Sequence, residues 1–162
     1  MSGSSSWAFR EEDARRIQNI LSVFLADSSA RTALIVHRTG QLVSTVGEPP
    51  VFDSTAFATL TAADFSANDQ LARMLGEPEF GALFHQGERE SMYLADVARR
   101  VILVVLFDNR TTLGLVKLRV RTSSESKPKV VQRDVEGVVS RIAKTPTKTV
   151  RVDDRKKLET LD

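Results

Sequence analysis

The chain has 162 residues, 41% of them apolar, no cysteine and a formal net charge of +2. That length suits one domain with tails, the apolar share suits a packed core, and so small a charge dictates no polyanionic partner. Without cysteine there are no disulfides, no thiolate chemistry and no Cys-type zinc site, which fits a reducing cytoplasm. The opening residues, MSGSSSWAF, have no basic stretch leading into an apolar core, so no secretory signal is expected.

Ala14, Ile17, Ile20, Leu21, Phe24 and Leu25 recur at helical spacing behind the acidic Glu11, Glu12 and Asp13, predicting a first helix over residues 8–27. ALIVHR and QLVSTV follow as two strands, with Thr39 and Gly40 as their hairpin turn. After GEPPVFDS, where Asp53 or Ser54 can cap, a second helix runs over about residues 54–75 and stops at Gly76 and Pro78. Its stripe of Ala56, Leu60, Ala63, Ala67, Leu71 and Met74 is expected to pack on the sheet. The opposite face holds Ala58, Ala62, Phe65, Ser66, Asp69, Ala72 and Arg73. These small groups around one aromatic ring read either as a surface awaiting a cover or as an Ala-rich solvated face.

Three strands come next: Phe80 to Gln86, Ser91 to Val97 and Val101 to Phe107. The last is seven consecutive apolar residues closed by Asp108 and Asn109. A bilayer span needs about 20 such residues, so the run excludes membrane insertion by this segment and reads as a strand buried on both faces. Its Val and Ile content argues against a buried helical turn. Beyond Asp108, Val116 to Arg121 alternates as a strand would, while Leu113, Val116 and Val120 have helical spacing and Asn109 or Thr111 could cap; both readings stand. Pro128 fits the first turn of another helix with a stripe of Val131, Val135, Val138 and Ile142. From Lys144 onward the chain lacks a core-forming period, so disorder is expected, with a short recognition segment as the alternative.

Chemistry of its own is hard to find in this sequence. No GxxxxGK[ST] or GxGxxG loop occurs, and His37 and His85 stand apart from one another, without metal-ligand spacing. Glu11, Glu12 and Asp13 fan around a helix and cannot flank one bond. No catalytic residue, metal or cofactor is therefore expected. Arg110 to Arg133 carries seven basic residues against Glu125, but no interleaved aromatic group stacks on bases, so a solvated helix face is preferred over nucleic-acid binding.

FHQGERESMYLADVARRVILVVLFDNRTTLGLVKLR, from Phe84 to Arg119, closely resembles the Roadblock-type dynein light chain family, and within it the bacterial MglB proteins that regulate the Ras-like GTPase MglA. GQLVSTVG at Gly40 to Gly47 and STAFATLTAADFSANDQLARMLGE at Ser54 to Glu77 agree, so the resemblance covers about residues 14–122. It implies an α/β fold, a three-layer αββαβββα sandwich on a five-stranded antiparallel sheet, extended to ten strands in a homodimer. It also selects a helix starting near Thr111. The implied division is a flexible segment 1–7, the Roadblock-type domain 8–126, an extra helix 127–143 and a disordered tail 144–162.

The implied function is activation of an MglA-type GTPase in bacterial polarity or motility, by holding the GTPase's own Arg and Gln in place; a non-activating adaptor that scaffolds polarity proteins is the alternative. Such a protein is cytoplasmic, and the family points to a cell pole. Paired second helices would form the docking platform, which places Ala62, Phe65, Ser66, Asp69, Gln70 and Arg73 against the GTPase. Arg in place of Ala62 or Ser66 is then expected to block docking while the fold survives. Phe80, Leu83 and Phe84 on an open sheet edge, with Ala58, are the expected dimer contacts. Two departures stand out. MglB-like proteins tend to have small residues where this chain has Asp69 and Gln70, and Pro128 interrupts what is a longer final helix in the family.

Overall fold

Residues 10–121 and 131–144 are described by a computed structural model of the chain. The expectations for residues 1–7, for Pro128 and for the tail beyond Lys144 fall outside them. Helix α1, Glu11–Ser28, places its acidic first turn where backbone N–H groups lack partners, and buries Ile17, Leu21 and Phe24. Strands β1, Thr32–His37, and β2, Leu42–Gly47, form the expected hairpin, with Gly40 at φ +95°. A Cβ on Gly40 would also lie 3.2 Å from the Thr59 Cα, so glycine admits the following helix as well as the turn.

That helix, α2, is Ser54–Met74. Asp53 caps it by accepting from the N–H groups of Thr55 and Ala56 at 2.9 and 3.2 Å. It closes on Gly76 at φ +80°, with Gly76 N–H donating to Arg73 O and Glu77 N–H to Ala72 O, the paired bonds of a Schellman stop. Strands β3, Ala82–Gln86, β4, Ser91–Val97, and β5, Val101–Phe107, complete an antiparallel sheet ordered β2-β1-β5-β4-β3. The seven-residue apolar run is thus the central strand, and Val101 to Val105 are fully buried. β3 begins two residues later than expected, at Ala82.

The undecided segment after Asp108 is helix α3, Leu113–Val120, capped by Thr112 Oγ1, which accepts from Leu115 N–H at 3.2 Å. Arg121 is extended and ends it. Helix α4, Val131–Lys144, buries Val131, Val135, Val138 and Val139. Alternation along the strands then divides the core. Ala33, Ile35, Tyr93, Ala95, Leu103 and Val105 face α1, α3 and α4, whereas Leu34, Val36, Leu94, Ile102 and Val104 face α2. The molecule therefore has three layers, with α2 alone on one side of the sheet.

One expectation is reversed here. α2 turns Ala58, Thr61, Ala62, Phe65, Asn68 and Ala72 toward the sheet, and leaves Ala56, Leu60, Ala63, Ala67, Leu71 and Met74 outside. The alanines let the helix backbone approach the strands, and Phe65 fills the remaining space among Leu34, Val36, Leu94 and Ile102. Asp69 shares this side and meets an arginine from the β1–β2 turn, so both packing and charge select the orientation.

Candidate functional site

The outer face of α2 is an apolar stripe with nothing of the described chain over it. Met74 is 83% exposed, Leu60 69% and Leu71 57%, with exposed Ala56, Ala63 and Ala67 between them. Long apolar side chains in a line along about 20 residues of helix, about 30 Å, are the kind of contiguous patch that marks an interaction surface. Helical periodicity sets exposed Ser66, Gln70 and Arg73 along one border and Asp64 along the other. On that second border Asp64 Oδ2 lies 2.6 Å from His85 Nε2, linking α2 to the edge strand β3.

The sequence-predicted residues divide accordingly. Ser66, Gln70 and Arg73 stand on the outer side. Ala62 and Phe65 do not, being buried on the inner face, and the premise that Arg at position 62 leaves the fold intact falls with them. Ala58 is also fully buried, on the inner face of α2 against the sheet. Phe80 and Leu83 are half-buried, Leu83 packing toward the α2 side. Phe84 points to the opposite side, its ring stacked on Phe107 at 6.2 Å between centroids. β3 nevertheless ends the sheet, and its backbone edge faces no other strand of the described residues.

Asp69 is held from within. Arg38 Nη1 donates to Asp69 Oδ2 at 2.5 Å, and Arg38 Nε and Nη2 both donate to Asp96 Oδ1, the former at 3.2 Å. The guanidinium also lies over the Phe65 ring, 5.1 Å from its centroid. Burial works against the Arg38 charge, but the bonds to Asp96 and then Asp69 outweigh it and hold its pKa above the ordinary value. Beside it, burial and then the charge of Arg100 push the His37 imidazole below its usual range. Neither Arg38 nor Asp96 stood out in the sequence. The available signal was Asp69 itself, a charge in register with Phe65 and the alanines, which a fully outward face would not need to pair.

At the other end of the sheet Arg110 Nη1 and Nη2 reach Glu48 Oε1 at 3.1 Å, and Arg110 Nε donates to Asp108 at 3.0 Å. Arg31 pairs with Glu48 and Glu90. Arg110, the first of the basic residues before Arg133, is therefore committed to carboxylates. No helix among the described residues is long and apolar enough to cross a membrane.

The Roadblock/LC7 domain family matches residues 16–107. The chain belongs to the Roadblock/LC7 family. Among solved structures it is similar to MglB of Myxococcus xanthus, at 34% identity and a TM-score of 0.73, covering 88% of this chain and 98% of that one. The gliding protein MglB of Thermus thermophilus is 27% identical, with a TM-score of 0.73 over 84% and 97% of the two chains. A Roadblock/LC7 domain from Streptomyces avermitilis shares the fold alone, at 12% identity and a TM-score of 0.61 over 78% and 97%. No relative matches among curated proteins. Within its family the chain is MglB-like, and the five-stranded sheet with α2 on one side is the Roadblock fold.

Proposed function

We propose that this protein is a homodimeric activator of a Ras-like GTPase of the MglA type, working in the cytoplasm and at a cell pole in polarity or motility. The reading rests on one observation above the rest: an MglB-like Roadblock chain that leaves Leu60, Leu71 and Met74 uncovered along the whole of α2. Two copies joined edge to edge at β3 would extend the sheet to ten strands and bring their α2 helices side by side, covering part of the stripe. Ser66, Gln70 and Arg73 would border the platform left for the GTPase.

No residue of this chain is assigned to the reacting atoms. The GTPase's own Arg and Gln stabilise charge on the transferring phosphoryl group and orient water, and a correctly placed Arg contributes about 10³ to 10⁵ in rate. The contribution of this chain is to hold those groups in the productive geometry. Asp69, whose size and charge set the chain apart from the small residues usual at that place, is drawn inward by Arg38 and leaves the platform unobstructed. Gln70 is exposed and polar at its border, which favours the adaptor as the second reading.

Single-turnover GTP hydrolysis by an MglA-type GTPase, with and without this protein, decides between them. Acceleration that disappears on replacing Leu71 by Arg supports the activator. Binding without acceleration selects the adaptor.

A further inference from the structure

α2 and α4 lie on opposite faces of the sheet, yet one continuous run of polar contacts passes between them through a single residue of β4. Asp96 directs its side chain to the α2 side, where Oδ1 accepts from Arg38, and Arg38 in turn donates to Asp69 on α2. Its backbone carbonyl accepts from Gln132 Nε2 at 2.6 Å, reached by α4 from the other side of the sheet. The remaining atoms of Asp96 are committed as well: Oδ2 accepts from Arg99 N–H at 3.0 Å, and its N–H donates to Gly81 O at 3.1 Å. Asp69 Oδ1 is buried with no hydrogen-bond partner among the described residues, so Arg38 alone restrains that carboxylate.

Side chains so placed have little freedom. Arg38, Asp69 and Asp96 are only 25%, 17% and 13% exposed, so their attraction is weakly screened and their geometry is tightly coupled. A displacement of Gln132 acts on the Asp96 backbone, hence on the carboxylate that fixes Arg38, hence on the ion pair that ties the middle of α2 to the sheet. We propose that Gln132, Asp96, Arg38 and Asp69 form a relay by which α4 sets the position of the α2 platform. Gln132 and Arg38 are positioning residues: neither stands on the docking face, and both act on it through Asp69. A partner that grips or releases α4 would in this way alter docking on the far side of the sheet. The proposal deepens the GTPase reading and rests on it for its consequence, but the coupling itself belongs to the chain.

Two measurements on the full chain separate these layers. Hydrogen exchange in the middle of α2 is compared for wild type, Gln132→Met, which removes the donor at similar size, and Val138→Ala, which loosens α4 without touching Asp96. At denaturant concentrations that match overall stability, Gln132→Met is expected to speed α2 exchange about two- to tenfold over Val138→Ala. In combination with Asp69→Asn it is expected to add nothing further, because the run is already cut. Equal α2 exchange in the two α4 variants, or independent effects of Gln132→Met and Asp69→Asn, would overturn the relay. The second measurement is GTP hydrolysis at saturating protein, where Gln132→Met is expected to lower the rate about two- to tenfold with affinity less affected; a Gln132→Met rate equal to wild type, where wild type accelerates, overturns the step from relay to platform. A wild-type protein that accelerates no GTPase sinks the proposed function and leaves the exchange comparison to decide the coupling.

Discussion

The two faces of α2 carry similar side chains to opposite ends. Inside, Ala58, Ala62 and Ala72 are small so that the helix can lie close to the strands, with Phe65 as the one bulky filler and Asp69 as a tether. Outside, Leu60, Leu71 and Met74 are large and uncovered. Hydrophobicity is thus no guide to which face meets the protein's own sheet. The greasier face can stay outside because the inner face has already met its packing need with close backbone approach and an ion pair.

Neighbouring residues test this contrast most sharply. Ala62→Arg forces an unpaired charge into the inner layer and is expected to cost more than about 4 kcal/mol, leaving little folded protein. Ala63→Arg, one position on and exposed, is expected to change stability by no more than about 0.5 kcal/mol while abolishing GTPase binding. Urea unfolding of the two variants and their sedimentation with the GTPase measure both quantities. A folded, stable Ala62→Arg protein would show that the faces have been assigned the wrong way round.

Phe65→Ala comes next, with an expected loss of about 3 to 5 kcal/mol from an emptied core site, read from the denaturation midpoint at unchanged slope. Smaller still is Asp69→Ala. Arg38 keeps Asp96 as its partner, so a loss of about 1.5 to 3 kcal/mol is expected, the worth of a hydrogen bond to a charged group. An effect near zero there would make Asp69 a passenger on the inner face.

The smallest effect lies at His37, where β1 runs into the β1–β2 turn. Thr39 N–H donates to His37 Nδ1 at 3.2 Å, an arrangement that needs the imidazole unprotonated at that atom, and its folded pKa is lowered from 6.5. The unfolded chain therefore binds the proton more readily. Stability is expected to be fully present above the unfolded value of 6.5 and to decline as pH falls from there through the lowered folded value. His37→Gln should flatten that part of the stability profile, and an unchanged decline would assign it to another group.

β5 and α2 show where sequence reading succeeds and where it fails. Val101 to Phe107 is apolar on both faces, and a strand apolar on both sides can only be a central one, so its place followed from the sequence alone. The hairpin at Gly40, a cap at Asp53 or Ser54 and the stop at Gly76 were also legible, since each depends on backbone geometry within a few residues; the structure selects Asp53. Helix α3 was not settled by its own residues, because Leu113, Val116 and Val120 satisfy both periods; the Thr112 cap and the layer above β4 and β5 decide it. For α2 the period was right and the face was wrong. Periodicity reports that a helix has sides but carries no information on which side a distant strand will take. That was fixed by Arg38 and Asp96, 31 residues before Asp69 and 27 after it, whose meeting exists only in three dimensions.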